Sequence, residues 1–350
     1  MNELVGDSAL GSFVHAAYTD WAKTLNSLEA TVDFLFGINR LDLRASTMTT
    51  FDAHVRIDGD TYSYPVEGSF FTSDDGTLYQ VSTSAIDLTN WRESGYCVVD
   101  LFSNAEFEQL VSSITRRMAS TLRELGVETS DEFRLVDYHK YVSDLELHVA
   151  VTNCTKNFKN DDFGFDLELV CTRLSQLVGK KLNSYNPELQ RKHVQLRISR
   201  PESLDINPPH RDGYLDYYKK ILNVWIPVDG CDKNSSLPVV PGSHLIPEAD
   251  LVRTQSQGAK ISGNTYMVPC ISKINGEFPE MVRPNPQPAQ ALIFTPFLIH
   301  GAAFNTNADS TRMALELRLY LENDDSQRSR WPQPKWTITP KGCIHSILCL

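Results

Sequence analysis

The sequence predicts a mainly β protein with flanking helices, its strands forming a barrel or sandwich around a polar lumen. Three segments carry that expectation through two-residue alternation. In HVQLRIS, Val194, Leu196 and Ile198 share one face, and His193, Gln195, Arg197 and Ser199 share the other. In ILNVWIPVD, Leu222, Val224, Ile226 and Val228 oppose Asn223 and Trp225. In TRMALELRLYL, Met313, Leu315, Leu317, Leu319 and Leu321 oppose Arg312, Ala314, Glu316 and Arg318. Strands with one apolar and one polar face suit a barrel or sandwich whose interior holds a polar site. The run ALIFTPFLIHG is more continuously apolar, as a well-covered strand should be, and His300 sits at its end.

The remaining elements come in chain order. Over residues 8–36, Leu10, Phe13, Val14, Ala17, Trp21, Leu25, Leu28 and Val32 recur at helical spacing, and Gly37 is a suitable terminator. From Thr47 to Leu88 the pattern is one of short strands, with turns at DGD and SDDG. Residues 1–87 are therefore expected to form a thin N-terminal part packing on a core domain of residues 88–325. That core opens with WRESGYCVVDLFSNAEFEQLVSSI, a strand running into a helix. Ser103 and Glu106 form a capping-box pattern there, and Phe107, Leu110, Val111, Ile114 and Met118 make its buried stripe. A further helix is expected from about Asp162 to Val178. The tail, residues 326–350, includes WPQPKW, whose two X-Pro bonds favour an extended course. Cys343, His345 and Cys349 in that tail have only a faint zinc-like spacing.

The chemistry is concentrated in NPPHRDGYLDYY and in two residues further along the chain. His210 and Asp212 stand two apart, His300 lies ninety positions after His210, and Arg312 twelve beyond that. Two neutral imidazoles and one carboxylate can occupy one face of an octahedral Fe(II), leaving three positions open. An H-x-D pair alone is weak evidence in a chain with nine histidines and 44 acidic residues, where an exposed turn is the competing explanation. His300 alone would read as a core histidine, and Arg312 alone as a surface residue. Arg312 nevertheless opens an alternating strand after a loop rich in Ser, Thr and Asn, a place suited to clamping a carboxylate. Arg318 shares its face but lies about 20 Å further along at strand rise. His244, in the PGSH turn, reads as structural. Gln195, Arg197 and Asn223 project from the lumen faces, while Arg200, Arg211, Tyr214, Tyr217 and Tyr218 flank the metal motif.

The pieces RISRP, HRD, LNVWIPVDG, LPVVPGSH and FLIHGAAFNTNADSTRMALELRLY resemble the phytanoyl-CoA dioxygenase-like branch of the Fe(II)/2-oxoglutarate oxygenases. The resemblance covers roughly residues 88 to 322. It implies a double-stranded β-helix, the jelly-roll core also found in cupins. His210 and Asp212 would follow its second core strand, His300 would end the seventh, and Arg312 would open the eighth. It further implies Fe(II) held by His210, Asp212 and His300, with 2-oxoglutarate as cosubstrate and O2 as oxidant. 2-Oxoglutarate would chelate the metal through its keto oxygen and C1 carboxylate, and Arg312 would hold its C5 carboxylate. From their lumen faces and their places beside the metal motif, Gln195 and Asn223 are expected to assist cosubstrate binding, and Arg197, Arg200, Tyr214 and Tyr217 to contact the substrate. Related halogenases carry a small residue where Asp212 stands, so an intact Asp implies hydroxylation or desaturation. The expected substrate is a small polar molecule, such as a biosynthetic intermediate. A cupin-like metalloenzyme that does not use 2-oxoglutarate, a metal-binding scaffold without turnover and a pure interaction module remain the alternatives.

Composition fits that expectation. A net charge of −11 argues against a nonspecific nucleic-acid or anionic-membrane surface. The start, MNELVGDSALGSF, lacks a basic region followed by an apolar core, and no apolar run approaches the roughly 20 residues of a membrane span. Seven scattered cysteines suit a reducing compartment better than a disulfide scaffold, and a cytoplasmic location is the expectation.

Overall fold

The computed structural model describes residues 49–68, 70–72, 88, 90–254, 260–261, 264–265 and 268–322, with the strands 335–338 and 344–347. The helix expected over residues 8–36 lies outside the described residues, as do Cys343 and Cys349. In chain order the first strands are β1 (Thr49–Ile57), β2 (Asp60–Gly68), β3 (Phe70–Thr72) and β4 (Tyr96–Asp100). Helices α1 (Asn104–Glu124), α2 (Leu145–Thr155) and α3 (Leu167–Val178) come next. Then come β5 (Leu182–Asn183), β6 (Val194–Ser199), β7 (Ile221–Asp229), β8 (Leu251–Thr254) and β9 (Ile271–Ile274). The core strands end with β10 (Glu280–Met281), β11 (Gln290–Phe294) and β12 (Arg312–Leu321).

One antiparallel sheet runs β4–β11–β7–β12–β5, with β6 also paired to β12. Its three alternating strands place their faces as expected. Leu196, Leu222, Val224, Ile226 and the odd-numbered apolar residues of β12 pack, almost wholly buried, against Leu110, Ile114, Met118 and Leu122 of α1 and Val170 and Leu174 of α3. The other face turns Trp225, Leu292, Phe294 and Ala314 inward, against Leu237, Val239, Leu298 and Ala303. The continuous apolar run of β11 is thereby explained. Ala291 and Ile293 face the helices, and Leu292 and Phe294 face the interior.

A second layer is stitched from shorter pieces. β1 and β2 form a hairpin across the two-residue turn Asp58–Gly59, with Ile57 opposite Asp60. β1 runs parallel to β10, Ile57 pairing with Met281. The ladder continues from Val282 to Val239, from Val240 to Ile299, from His300 to His210 and from Pro209 to Ile271. β9, β8 and β3 then extend it. Two facing layers, one of them also carrying α1 and α3 on its outer side, make a double-stranded β-helix. The apolar residues of the second layer, among them Val55, Tyr64, Ile206, Ile271, Met281 and Ile299, form its own buried cluster.

Three expectations are corrected. No break falls at residue 87: β1, β2 and β3 are ladder strands of the same compact unit, which begins at Met48. The second helix begins at Leu167, where the Asp166 side chain accepts from the Glu168 and Leu169 amides, and Asn160–Phe163 is a separate 3-10 turn. Helix α2 has no counterpart among the expected elements. It buries His148, Val151 and Thr155 but leaves Leu145 and Val149 exposed, so its apolar residues do not trace one stripe. The capping box of α1 is present in full: Ser103 Oγ accepts from the Glu106 amide, and the Glu106 carboxylate accepts from the Ser103 amide. The five described cysteines are free thiols. No described helix is long and apolar enough to cross a membrane.

Candidate metal centre

The two histidines are brought together by backbone pairing. The His210 amide donates to the His300 carbonyl at 2.9 Å, and the His300 amide returns a bond to the His210 carbonyl at 3.1 Å. The imidazoles consequently lie side by side, centroids 4.3 Å apart. Each ring is oriented by a carbonyl two residues earlier in the chain. His210 Nδ1 donates to the Pro208 oxygen at 2.6 Å, and His300 Nδ1 to the Leu298 oxygen at 3.0 Å. A carbonyl only accepts, so Nδ1 carries the proton on both rings and each Nε2 keeps a lone pair for a metal. Close packing fixes the neighbouring backbone. Gly301 has φ +125°, and a Cβ there would meet the Pro208 oxygen at 2.3 Å. At Gly213 a Cβ would meet the Phe297 ring at 2.5 Å.

Asp212 opens the turn Asp212–Tyr214 and lies in front of both rings. Its Oδ1 is 3.6 Å from His210 Nε2 and its Oδ2 is 3.9 Å from His300 Nε2. The three ligand atoms lie within 4.8 Å of one another, and all three residues are buried. Burial pushes His300 down to about 4, with the His210 imidazole adding to the effect, so it is neutral near pH 7. Burial alone would raise Asp212. The Arg318 guanidinium and the two imidazoles outweigh it and hold the carboxyl well below its usual range. Two neutral imidazole nitrogens and one ionised carboxylate are the donor set of an open Fe(II) site, so the residues present fit that ion.

Arg318, placed by the sequence only as a lesser alternative to Arg312, is the partner of Asp212. Its Nε donates to Oδ2 at 3.1 Å and its Nη2 to Oδ1 at 3.2 Å. Nη1 contacts His193 Nε2, and the guanidinium lies over the Tyr218 ring at 4.6 Å. Arg312 is different. It is 4% exposed; among the described residues its Nη2 donates to the Ala303 carbonyl at 3.3 Å and its Nε has no partner. No carboxylate pairs with it among the described residues. His210, His300 and Arg312 line one cavity of about 260 Å³, together with Gln195, Arg197, Trp225 and Glu316. Trp225 Nε1 also lacks a partner there. Outward, the cavity is walled by Leu145, His148, Val149 and Thr152 of α2.

Other expected contacts fall elsewhere. Asn223 is buried beside Arg318 in the ladder and does not line the cavity. Arg197 does line it, but is tied to Glu316 at 2.8 Å. Arg200 spends its guanidinium on Asp205 and on the carbonyls of Ser143 and Asp144, so it brackets the start of α2 and is not free for a substrate. The Tyr214 hydroxyl donates to Glu248 at 3.1 Å, and its ring lies under Arg253. Tyr217 packs edge-on against Tyr218. Neither tyrosine lines the cavity. The PGSH turn is a buttress: Ser243 Oγ accepts from the Ile299 amide, and its carbonyl accepts from Arg211. His244 lies outside the cluster, its Nε2 donating to the Arg92 carbonyl.

Over residues 91–314, well over half of the chain, the sequence matches the family model described as phytanoyl-CoA dioxygenase (PhyH). No curated protein matches it. Similar solved structures include the non-heme α-ketoglutarate-dependent epimerase SnoN from nogalamycin biosynthesis, at 14% identity over 67% of this chain and 80% of that one, with a TM-score of 0.34. EctD from S. alaskensis in its apoform aligns at 15% identity over 73% and 87%, TM-score 0.37. The carbocyclase SnoK, also from nogalamycin biosynthesis, aligns at 16% over 74% and 94%, TM-score 0.33.

Proposed function

The chain belongs to the phytanoyl-CoA dioxygenase family of Fe(II)- and 2-oxoglutarate-dependent oxygenases, and on that premise we propose that it hydroxylates an unactivated C–H bond of a small polar substrate. The observation that carries this reading is the buried guanidinium of Arg312, which lines the same cavity as His210 and His300 and has no carboxylate paired with it among the described residues. A buried charge without a counter-ion is costly, and a bound carboxylate removes that cost. Arg312 would receive the distal carboxylate of 2-oxoglutarate in a charge-assisted contact, with the donors of Gln195 and Trp225 available along the same wall. His210, His300 and Asp212 would hold the metal, each imidazole aimed by its carbonyl partner. When bound, iron and its cosubstrate supply the oxidising chemistry, with 2-oxoglutarate converted to succinate. The protein contributes orientation and water exclusion. Asp212 supports hydroxylation over halogenation, since it leaves no place for a halide ligand.

A cavity of about 260 Å³ is below the usual size of a drug-like pocket and must also receive the cosubstrate. The substrate would therefore offer a slim reacting portion, the rest lying against α2. Anaerobic titration with Fe(II) and then 2-oxoglutarate tests the reading. One iron per chain and a visible metal-to-ligand charge-transfer band are expected, followed by succinate on exposure to oxygen. Iron binding with neither the band nor succinate would leave a cupin-like metalloprotein instead.

A further inference from the structure

We propose that Arg318 is a positioning residue that confines Asp212 to a single metal-ligating oxygen, and so preserves the third open coordination position. The inference rests on the metal reading above. A carboxylate offers about four lone-pair sites on two oxygens. In the fork geometry seen here, Nε meets Oδ2 and Nη2 meets Oδ1, so Arg318 lies along the edge that joins the two oxygens. Chelation of a metal by both oxygens uses that same edge. With the edge taken, Asp212 has only an outer lone pair of one oxygen to give. The count then works: two histidines and one oxygen fill three octahedral positions, two go to a chelating cosubstrate, and one stays free. Were Asp212 to chelate, that last position would close.

The fork is itself fixed. Nη1 is engaged by His193 Nε2, the guanidinium plane rests on Tyr218, and the side chain is 8% exposed. Glu316 lies 3.6 Å from Nη2. Arg318 therefore has no freedom to move toward a ligand of its own, which separates its role from that of Arg312. Its charge also offsets that of Asp212, leaving the metal more positive toward an anionic cosubstrate and more weakly held by the protein.

The test uses the full chain loaded with Co(II), whose visible absorption reports its coordination. Affinity for Co(II), and then for 2-oxoglutarate on the Co(II) form, is measured for wild type, Arg318→Met and Arg318→Lys. Arg318→Met is expected to bind Co(II) at least as tightly as wild type, with an altered visible spectrum, and to bind 2-oxoglutarate about tenfold more weakly. Arg318→Lys keeps the charge but cannot span both oxygens, and is expected to show the same spectral change. Loss of Co(II) affinity by tenfold or more in both folded variants would overturn the proposal, since it would make Arg318 a simple anchor of the ligand. An unchanged spectrum in both would overturn it as well. Should Arg318→Met not fold, Arg318→Lys decides by the same criteria. Failure of wild type to bind 2-oxoglutarate would count against the cosubstrate reading alone, because the Co(II) affinities and spectra still judge Arg318.

Discussion

At the scale of single residues, two arginines six positions apart on one strand face divide the work. Arg318 is saturated by Asp212, His193 and Tyr218, while Arg312 is buried with one carbonyl contact and an unpartnered Nε. For Arg312→Leu we expect iron to be retained and the 2-oxoglutarate KM to rise at least tenfold, the loss of about 1.5–3 kcal/mol for each charge-assisted bond removed. Arg312→Lys should recover only part of it, because an ammonium cannot fork onto a carboxylate. Steady-state succinate formation across 2-oxoglutarate concentrations checks both, and a wild-type KM in Arg312→Leu would remove the main support for the cosubstrate. The metal cluster was legible in the sequence because its residue types are chemically distinctive and their spacing is unusual. The partner of Asp212 was not. Alternation assigns Arg318 to the lumen face, yet it does not say which loop folds over that face 106 residues away. The contacts of Arg200, Tyr214 and Tyr217 were not legible either. Adjacency to a motif in sequence says little about which way a side chain turns: Tyr214 reaches Glu248 and Arg200 reaches the Ser143 and Asp144 carbonyls, partners set by tertiary packing.

At the scale of elements, helix α2 forms the outer wall of the cavity and is secured at its start by Arg200, which joins Asp205 to the Ser143 and Asp144 carbonyls. Breaking a buried pair by removing one partner typically costs about 3–5 kcal/mol. Arg200→Met is accordingly expected to lose that order of stability in urea denaturation, while the affinity of the metal-loaded protein for 2-oxoglutarate stays near wild type. Undiminished stability with weakened substrate turnover would instead restore the substrate-binding role first expected of Arg200. The strands and α1 were readable because each buries one clean face, Leu110, Ile114 and Met118 being fully buried in the stripe their spacing predicts. α2 was not, because one of its sides serves the cavity and not the core. Leu145, Val149 and Thr152 point where no apolar core requires them, and the helical period is blurred as a result.

At the scale of the whole molecule, the long sheet strands and the β1–β2 hairpin at its DGD turn were legible, and the rest of the second layer was not. Its links are single bridges and two-residue strands, such as Glu280–Met281, too short to show any period. One of those bridges, between His210 and His300, has a kinetic consequence. No locally folded segment contains the metal site, since its two imidazoles meet only when a loop of ninety residues closes. Such distant pairings tend to form late, because the entropy of closure is lost before the contacts repay it. During synthesis the nascent chain has no site to load until His300 has emerged and the second layer has zipped shut. Refolding from urea with Co(II) present should therefore develop its visible absorption together with the slowest phase of tryptophan fluorescence, and none of it in the initial burst. Colour in the burst phase would mean that the ligands gather before the sheet does. With the order expected here, acquisition of metal marks the moment at which the barrel is finished.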